Sequence, residues 1–149
     1  MERTFVMVKP DGVKRGLIGQ IISRFERRGL RIDSMKMSHL DRDTAAEHYA
    51  EHVGKDFYDS LLEYITSGPV VLMAVYGDSS VSIVRDLVGK TDPKKAAPGT
   101  IRADFGIDIS RNIVHAADSP VSAERELAIY FDESEYMDYT RPDEKWLYP

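Results

Sequence analysis

The chain reads as an α+β sandwich, a sheet with helices packed on it. Apolar runs of strand length alternate along it with segments of helical period. Its 149 residues, 42% of them hydrophobic, are the material of one domain with one core. No apolar run approaches the roughly 18 residues of a membrane span.

Thr4 to Val8 is a continuous apolar run with β-branched members, as expected of a central strand buried on both faces, and Lys9-Pro10-Asp11-Gly12 stops it. Ile18, Ile21, Ile22 and Phe25 recur at helical spacing, with Arg27 and Arg28 in the last turn and Gly29 as the C-terminal cap. From Arg31 to Leu40, Met35 and Met37 alternate with Ser34 and Lys36, the period of an edge strand with one wet face. Thr44-Ala45-Ala46-Glu47 matches a capping box and opens a short helix through Tyr49. Phe57, Leu61 and Ile65 mark one face of the next helix, closed by Gly68-Pro69. Val70 to Tyr76 is the strongest strand, and a helix capped by Ser80 and ended by Gly89 follows it. Asp92 to Gly99 is too irregular to be an element. Ile113-Val114 is a short strand, and Ser119 with Pro120 starts a helix whose buried stripe is Ala123, Leu127 and Phe131. Asp132 to Pro149 is an acidic, aromatic tail. This order contains the two split strand-helix-strand units of a ferredoxin-like sandwich, a four-stranded antiparallel sheet with helices packed on it.

His115 ends the last strand just before the helix start at Ser119-Pro120. The first amides of a helix attract anions, and an imidazole near its ordinary pKa of about 6.5 is largely neutral and nucleophilic at pH 7. Alone, such a histidine is usually a satisfied half-buried polar residue. Lys9 stands directly after the first strand, Arg85 precedes Gly89-Lys90-Thr91, and Arg102 leaves the turn Pro98-Gly99-Thr100. Three cations at element ends with hydroxyls between them are what a chain of phosphates needs, although any one of them also reads as an ordinary solvated charge. Gly89-Lys90-Thr91 is no phosphate-binding P-loop, because Val84 stands where that pattern demands glycine. No G-x-G-x-x-G occurs either.

The net charge of −5 opposes general binding to nucleic acid or to an anionic membrane, so phosphate-binding cations must be gathered locally. The chain has no cysteine, which excludes disulfides and thiolate metal sites. With no leader-like segment at the N-terminus, the expected address is cytoplasmic.

Lys9-Pro10-Asp11-Gly12, Tyr49, Phe57, Arg85, Thr91, Pro98-Gly99-Thr100-Ile101-Arg102 and Asn112-x-x-His115-x-x-Asp118-Ser119 occur in one order. With Ser122-Ala123-Glu124-Arg125-Glu126 and the Trp146-Leu147-Tyr148 ending, the chain resembles the nucleoside diphosphate kinase family over nearly its whole length. The resemblance implies one kinase domain over 1–149, with 132–149 as its tail. It implies ping-pong transfer of a γ-phosphoryl group from a nucleoside triphosphate to His115, then to a different nucleoside diphosphate. Lys9, Arg85, Arg102 and Thr91 would hold phosphates, Asn112 the sugar, and Phe57 would stack on the base. Tyr49 would lie beside the transferred group, and Glu126 would bond the far ring nitrogen of His115, fixing its tautomer. ATP and other nucleoside triphosphates and diphosphates are the implied partners, with Mg²⁺ carried mainly by phosphates and Asp118 as the nearest carboxylate. Hexamers, or sometimes tetramers, are the family's assemblies.

From the residues alone, Phe57 could instead be core, since it shares a stripe with Leu61. His39, His48 and His52 read as structural or surface. Ala117 departs from the serine common in the family, which removes a hydroxyl near Glu126 and leaves the nucleophile and phosphate ligands intact. A nucleotide-sensing or scaffolding module is the rival reading, but a pure binder needs no imidazole of fixed tautomer. An RNA-binding domain of this fold would need a basic face and paired strand aromatics.

Overall fold

The computed structural model describes residues Met1–Pro149. In chain order its elements are β1 (Glu2–Val8), α1 (Pro10–Lys14), α2 (Ile18–Arg27), β2 (Arg31–Ser38), α3 (Arg42–His48), α4 (Tyr58–Ile65), β3 (Val70–Gly77), α5 (Ser80–Val88), α6 (Ile101–Phe105), β4 (Val114–Ala116), α7 (Pro120–Tyr130) and α8 (Glu144–Leu147). The strands form one four-stranded sheet in the order β2-β3-β1-β4, every pair antiparallel. This is the ferredoxin-like α+β arrangement expected from the alternation of elements. No helix is long and apolar enough to cross a membrane.

Strand parity divides the core in two. Phe5 and Met7 face one layer, packed with Ala45 and Tyr49 at α3, Leu62 and Ile65 of α4, and Ala123 and Leu127 of α7. Val6 and Val8 face the other, with Ile21 and Phe25 of α2 and Val84 and Val88 of α5. On β4, Val114 and Ala116 join the second layer, so His115 between them must point into the first. Met7 pairs with His115 across the β1–β4 ladder, which sets the imidazole among side chains of α3 and α7.

Several local expectations are corrected. Thr44 does not cap α3: its own amide donates to the Asp41 carboxylate at 2.7 Å, and the helix begins at Arg42. An aspartate three residues earlier outcompetes the capping box because its carboxylate reaches the amide directly. Nor does Ser80 cap α5. Ser79 occupies the N-cap at φ 54°, and the orphan amide of Val81 is satisfied by the Glu2 carboxylate of β1 at 3.0 Å. Lys9-Pro10-Asp11-Gly12 does more than stop β1, since Pro10 starts the short helix α1. The segment after Asp92 contains a 3₁₀ turn, Pro93–Lys95, capped by the Asp92 side chain. Phe57 lies at the start of α4 and is 48% exposed, so the buried face of that helix is Leu62 and Ile65 instead.

β2 is an edge strand, as its alternation predicts, with Met35 and Met37 exposed. A bulge between Ile32 and Ser34 frees Asp33, whose fully buried carboxylate accepts from Arg3 at 2.8 Å and from Arg31 at 2.6 Å. The tail is tied to the same point: Met137 donates its amide to the Asp33 carbonyl, and Arg31 reaches the Tyr139 carbonyl. Asp33→Ala leaves two guanidinium groups without their shared anion. It should destabilise the protein by about 3–5 kcal/mol in urea unfolding and loosen the tail.

Candidate active site

One cleft of about 1120 Å³ opens over the ends of β1 and β4, and every residue singled out from the sequence lines it. These are Lys9, Tyr49, Phe57, Arg85, Thr91, Arg102, Asn112, His115, Asp118 and Glu126. They come from β4, α5, α6, α7 and the loops between, so only the fold brings them together.

The centre is His115. Its Nε2 contacts the Glu126 carboxylate, and Glu126 is 3% exposed on the inner side of α7. Burial alone would push that carboxyl up, but hydrogen bonds from His115 and His48 outweigh it and hold the pKa at about 2. An ionised carboxylate only accepts, so Nε2 of His115 carries the proton and Nδ1 keeps its lone pair. No protein group hydrogen-bonds that Nδ1. Burial is also the main force on the imidazole, and with the nearby His48 and Lys9 it brings the pKa down to about 4 despite Glu126. The ring is therefore more firmly neutral at pH 7 than its type alone predicts.

Lys9 is 7% exposed and donates to Asn112 Oδ1 at 2.8 Å. Burial, then repulsion from Arg102, lowers its pKa to about 7. Arg102 is equally enclosed. It donates to the carbonyls of Asn112, Gly89 and Val114, and burial with repulsion from Arg85 lowers its pKa to about 10. Arg85 reaches the Ala116 carbonyl at 3.3 Å. None of the three forms a salt bridge, in a protein with a surplus of carboxylates. Two buried cations and a half-buried one, crowded together without an ion-pair partner, make a site that attracts an anion.

The turn before β4 is strained. Ile113 has φ 77°, a value costly for a β-branched residue, and Val114 donates back to the Asn112 carbonyl at 2.8 Å in a γ-turn. Asp11 pins it, accepting from the Ile113 amide at 3.1 Å and from the Tyr64 hydroxyl, while the Lys9 amide holds the Ile113 carbonyl. Gly12 permits the approach, since a Cβ there would lie 2.9 Å from that carbonyl. The strain, of order 1–3 kcal/mol, turns Asn112 inward so that Oδ1 meets Lys9 and Nδ2 meets the Thr91 carbonyl at 3.2 Å.

The rim is more open. Phe57 stands free beside the His52 ring at 5.4 Å, as a stacking platform requires. Asp118 is exposed at the cleft edge with no side-chain hydrogen bond. The Tyr49 hydroxyl is buried and has no partner, and burial raises its pKa, so it stays a proton donor.

A profile of one protein family, nucleoside diphosphate kinase, matches residues 2–136. The chain belongs to the nucleoside diphosphate kinase family. Among proteins of that name, one from Archaeoglobus fulgidus is 57% identical over 148 residues, covering 99% of this chain and 98% of that protein. One from Natronomonas pharaonis is 58% identical over 99% of this chain and 97% of its own length. A halophilic nucleoside diphosphate kinase from Halobacterium salinarum, solved in complex with CDP, superposes with a TM-score of 0.97 at 49% identity, covering 99% of each chain.

Within this nucleoside diphosphate kinase chain, sequence reasoning missed the roles of four residues. His48, read as structural or surface, is structural: it is 2% exposed, and its place beside His115 and Glu126 was not foreseen. Asp11 and Tyr64 pin the strained turn, and Arg111 lines the cleft with its guanidinium 4.5 Å from the Tyr64 ring centre. Only the adjacency of His48 to Tyr49 could have signalled the first. The donor atoms of His48, His115 and Glu126 lie close enough to suggest a metal centre. However, the Nε2 atoms of both histidines face the Glu126 carboxylate as N–H donors, and a protonated ring nitrogen offers no lone pair to an ion.

Proposed function

We propose that His115 Nδ1 takes the γ-phosphoryl group of a nucleoside triphosphate and passes it to a second nucleoside diphosphate. The observation that carries this is the Glu126 carboxylate on Nε2, which leaves a neutral, unpartnered Nδ1 in a cleft ringed by unpaired cations. In the first half-reaction the Nδ1 lone pair bonds to the γ-phosphorus as the bond to the β–γ bridging oxygen breaks, and the diphosphate leaves with those electrons. The ring then bears positive charge, opposite a carboxylate already in place. In the second half, a terminal oxygen of another diphosphate attacks the phosphorus and the imidazole departs, neutral again. No general base is required at either stage.

Lys9, Arg85 and Arg102 neutralise the phosphate oxygens, where negative charge spreads in the transition state. Thr91 at the same wall adds a hydroxyl, and the unpaired Tyr49 hydroxyl would regain a partner from a transferring oxygen. Asn112 presents its amide to the sugar. Phe57 offers a face to any base and reads no edge, which favours broad use of purines and pyrimidines. The CDP bound by the Halobacterium relative is in keeping with a diphosphate as one of the species that visits.

Mg²⁺ fits this donor set. Asp11 and Glu126 are committed to protein partners, and Asp118 is free, so Asp118 would hold the ion together with phosphate oxygens and water, where it would offset phosphate charge. The exposed edge of β2, with Met35 and Met37, supports assembly with further copies into a hexamer or tetramer. We read the chain as one kinase domain over 1–149 that works in the cytoplasm.

Incubation with ATP labelled in its γ-phosphate should leave one acid-labile phosphoryl group on the protein, discharged by adding any nucleoside diphosphate. Initial rates at several fixed diphosphate concentrations should give parallel double-reciprocal lines. Nucleotide binding without label would favour the sensing module instead.

A further inference from the structure

The imidazole of His48 is as buried as any apolar side chain in the core, and nothing in the reaction uses it directly. It closes α3, and Arg125 of α7 donates to the carbonyls of Glu47 and His48 at 3.3 and 3.1 Å, clamping this helix end against the helix that carries Glu126. A buried imidazole must satisfy both nitrogens. Nδ1 lies 2.7 Å from the Tyr130 hydroxyl, and Nε2 lies 3.1 Å from Glu126 Oε1, the same oxygen that meets His115 Nε2. The two rings stand edge to face with centres 4.6 Å apart, and Phe5 packs against both.

Proton bookkeeping fixes the direction of this chain. Glu126 is an acceptor only, so His48 Nε2 must donate to it, which leaves His48 Nδ1 an acceptor. The Tyr130 hydroxyl, kept protonated by its burial, must then donate to Nδ1. The opposite tautomer of His48 would aim a lone pair at a carboxylate.

We propose that His48 is a positioning residue for phosphoryl transfer: with Tyr130 behind it, it holds the Glu126 carboxylate oriented toward His115 and thereby keeps His115 Nδ1 bare. The proposal rests on reading His115 as the phosphoryl acceptor. Without His48 the buried carboxylate keeps a single donor, can rotate or take a proton, and no longer dictates which nitrogen of His115 is free. When His115 becomes positively charged on phosphorylation, the same carboxylate must meet it unprotonated, and the second donor keeps it so.

The test compares His48→Leu, which preserves apolar bulk, with His48→Gln, which returns an N–H donor. Single-turnover formation of phosphohistidine from MgATP gives the rate, and nitrogen-15 spectra of the His115 ring give the tautomer. His48→Leu should slow phosphorylation roughly tenfold or more, the worth of a hydrogen bond to a charged group, with apparent ATP affinity unchanged. Its His115 ring should pass from a single Nε2-protonated form to a mixture, and His48→Gln should recover most of both. Tyr130→Phe removes one hydroxyl and little packing, so it stands in should His48→Leu not fold. It should mix the tautomers of His48 and slow phosphorylation a few-fold. Unchanged rate and tautomer in His48→Leu, or equal losses in Leu and Gln with an unchanged His115 spectrum, would overturn the proposal. A wild-type protein that never acquires label would sink the phosphohistidine reading instead, and the nitrogen spectra would still decide the role of His48.

Discussion

His115→Ala should fold and bind nucleotide, yet turn over at least on the order of 10⁴-fold more slowly than the parent. No neighbouring group can replace the lost nucleophile. His48 has its Nδ1 occupied by Tyr130 and its Nε2 turned to Glu126. Tyr49 is held protonated, and Lys9 is bound to Asn112. The acid-labile label should vanish with the turnover, and residual activity would follow intersecting rather than parallel lines. In the parent, phosphohistidine formation should hold level through neutral pH and fall only as the pH approaches about 4, where the imidazole protonates. An acid limb near pH 6.5 would mean that burial does not govern this ring.

The same substitution has a signed effect on stability. The folded-state pKa of His115 lies below its unfolded value of 6.5, at about 4, so between these values the unfolded chain binds the extra proton. Stability conferred by the buried neutral ring is complete above pH 6.5 and is lost as the pH falls toward 4. The difference in unfolding free energy between parent and His115→Ala should therefore shrink across that window. Glu126 titrates below it, with its pKa at about 2, and contributes in the same direction at still lower pH.

Which parts of this molecule the sequence made legible follows from the range of the interactions involved. β1 and β3 announce themselves as apolar runs because they are buried on both faces, and β2 as an alternation because it lies at the edge. The site residues were legible as an ordered set of motifs, and the strained turn at Ile113 could not be, since it depends on Asp11 and Lys9 about a hundred positions away. The cap of α5 failed for the same reason: a local serine at position 80 is the natural guess, but the amide of Val81 finds its partner in Glu2 on β1. Phe57 shows the converse error. Its spacing to Leu61 suggests a buried stripe, yet it lies at the helix start, outside the face that α4 presents to the sheet. His48 carries no periodic signal, and its partners Tyr130, Glu126 and His115 are all distant in sequence.

Lys9→Met should slow phosphorylation by on the order of 10²-fold or more and, at the same time, raise the thermal midpoint. The side chain is nearly inaccessible and its one side-chain hydrogen bond goes to the neutral Asn112 Oδ1. Folding must therefore hold a cation out of water and near Arg102, which is why its pKa falls from 10.5 to about 7. Between those values the unfolded chain binds more protons, so stability rises with pH across the window, and the whole penalty is present below pH 7. A shift of this size corresponds to several kcal/mol, against roughly 1–3 kcal/mol for the hydrogen bond that Asn112 loses to methionine. The stabilisation by methionine should therefore be largest at pH 6 and fade toward pH 10.5. Nucleotide phosphates reverse the balance in the parent: their charge restores the lysine pKa, so binding of a triphosphate just above pH 7 should take up a proton, detectable as a dependence of binding heat on the buffer. The variant should bind with no such uptake from position 9. If Lys9→Met instead unfolded more easily at pH 6 than the parent, the cation would be a stabilising part of the fold rather than a charge held in readiness for phosphate.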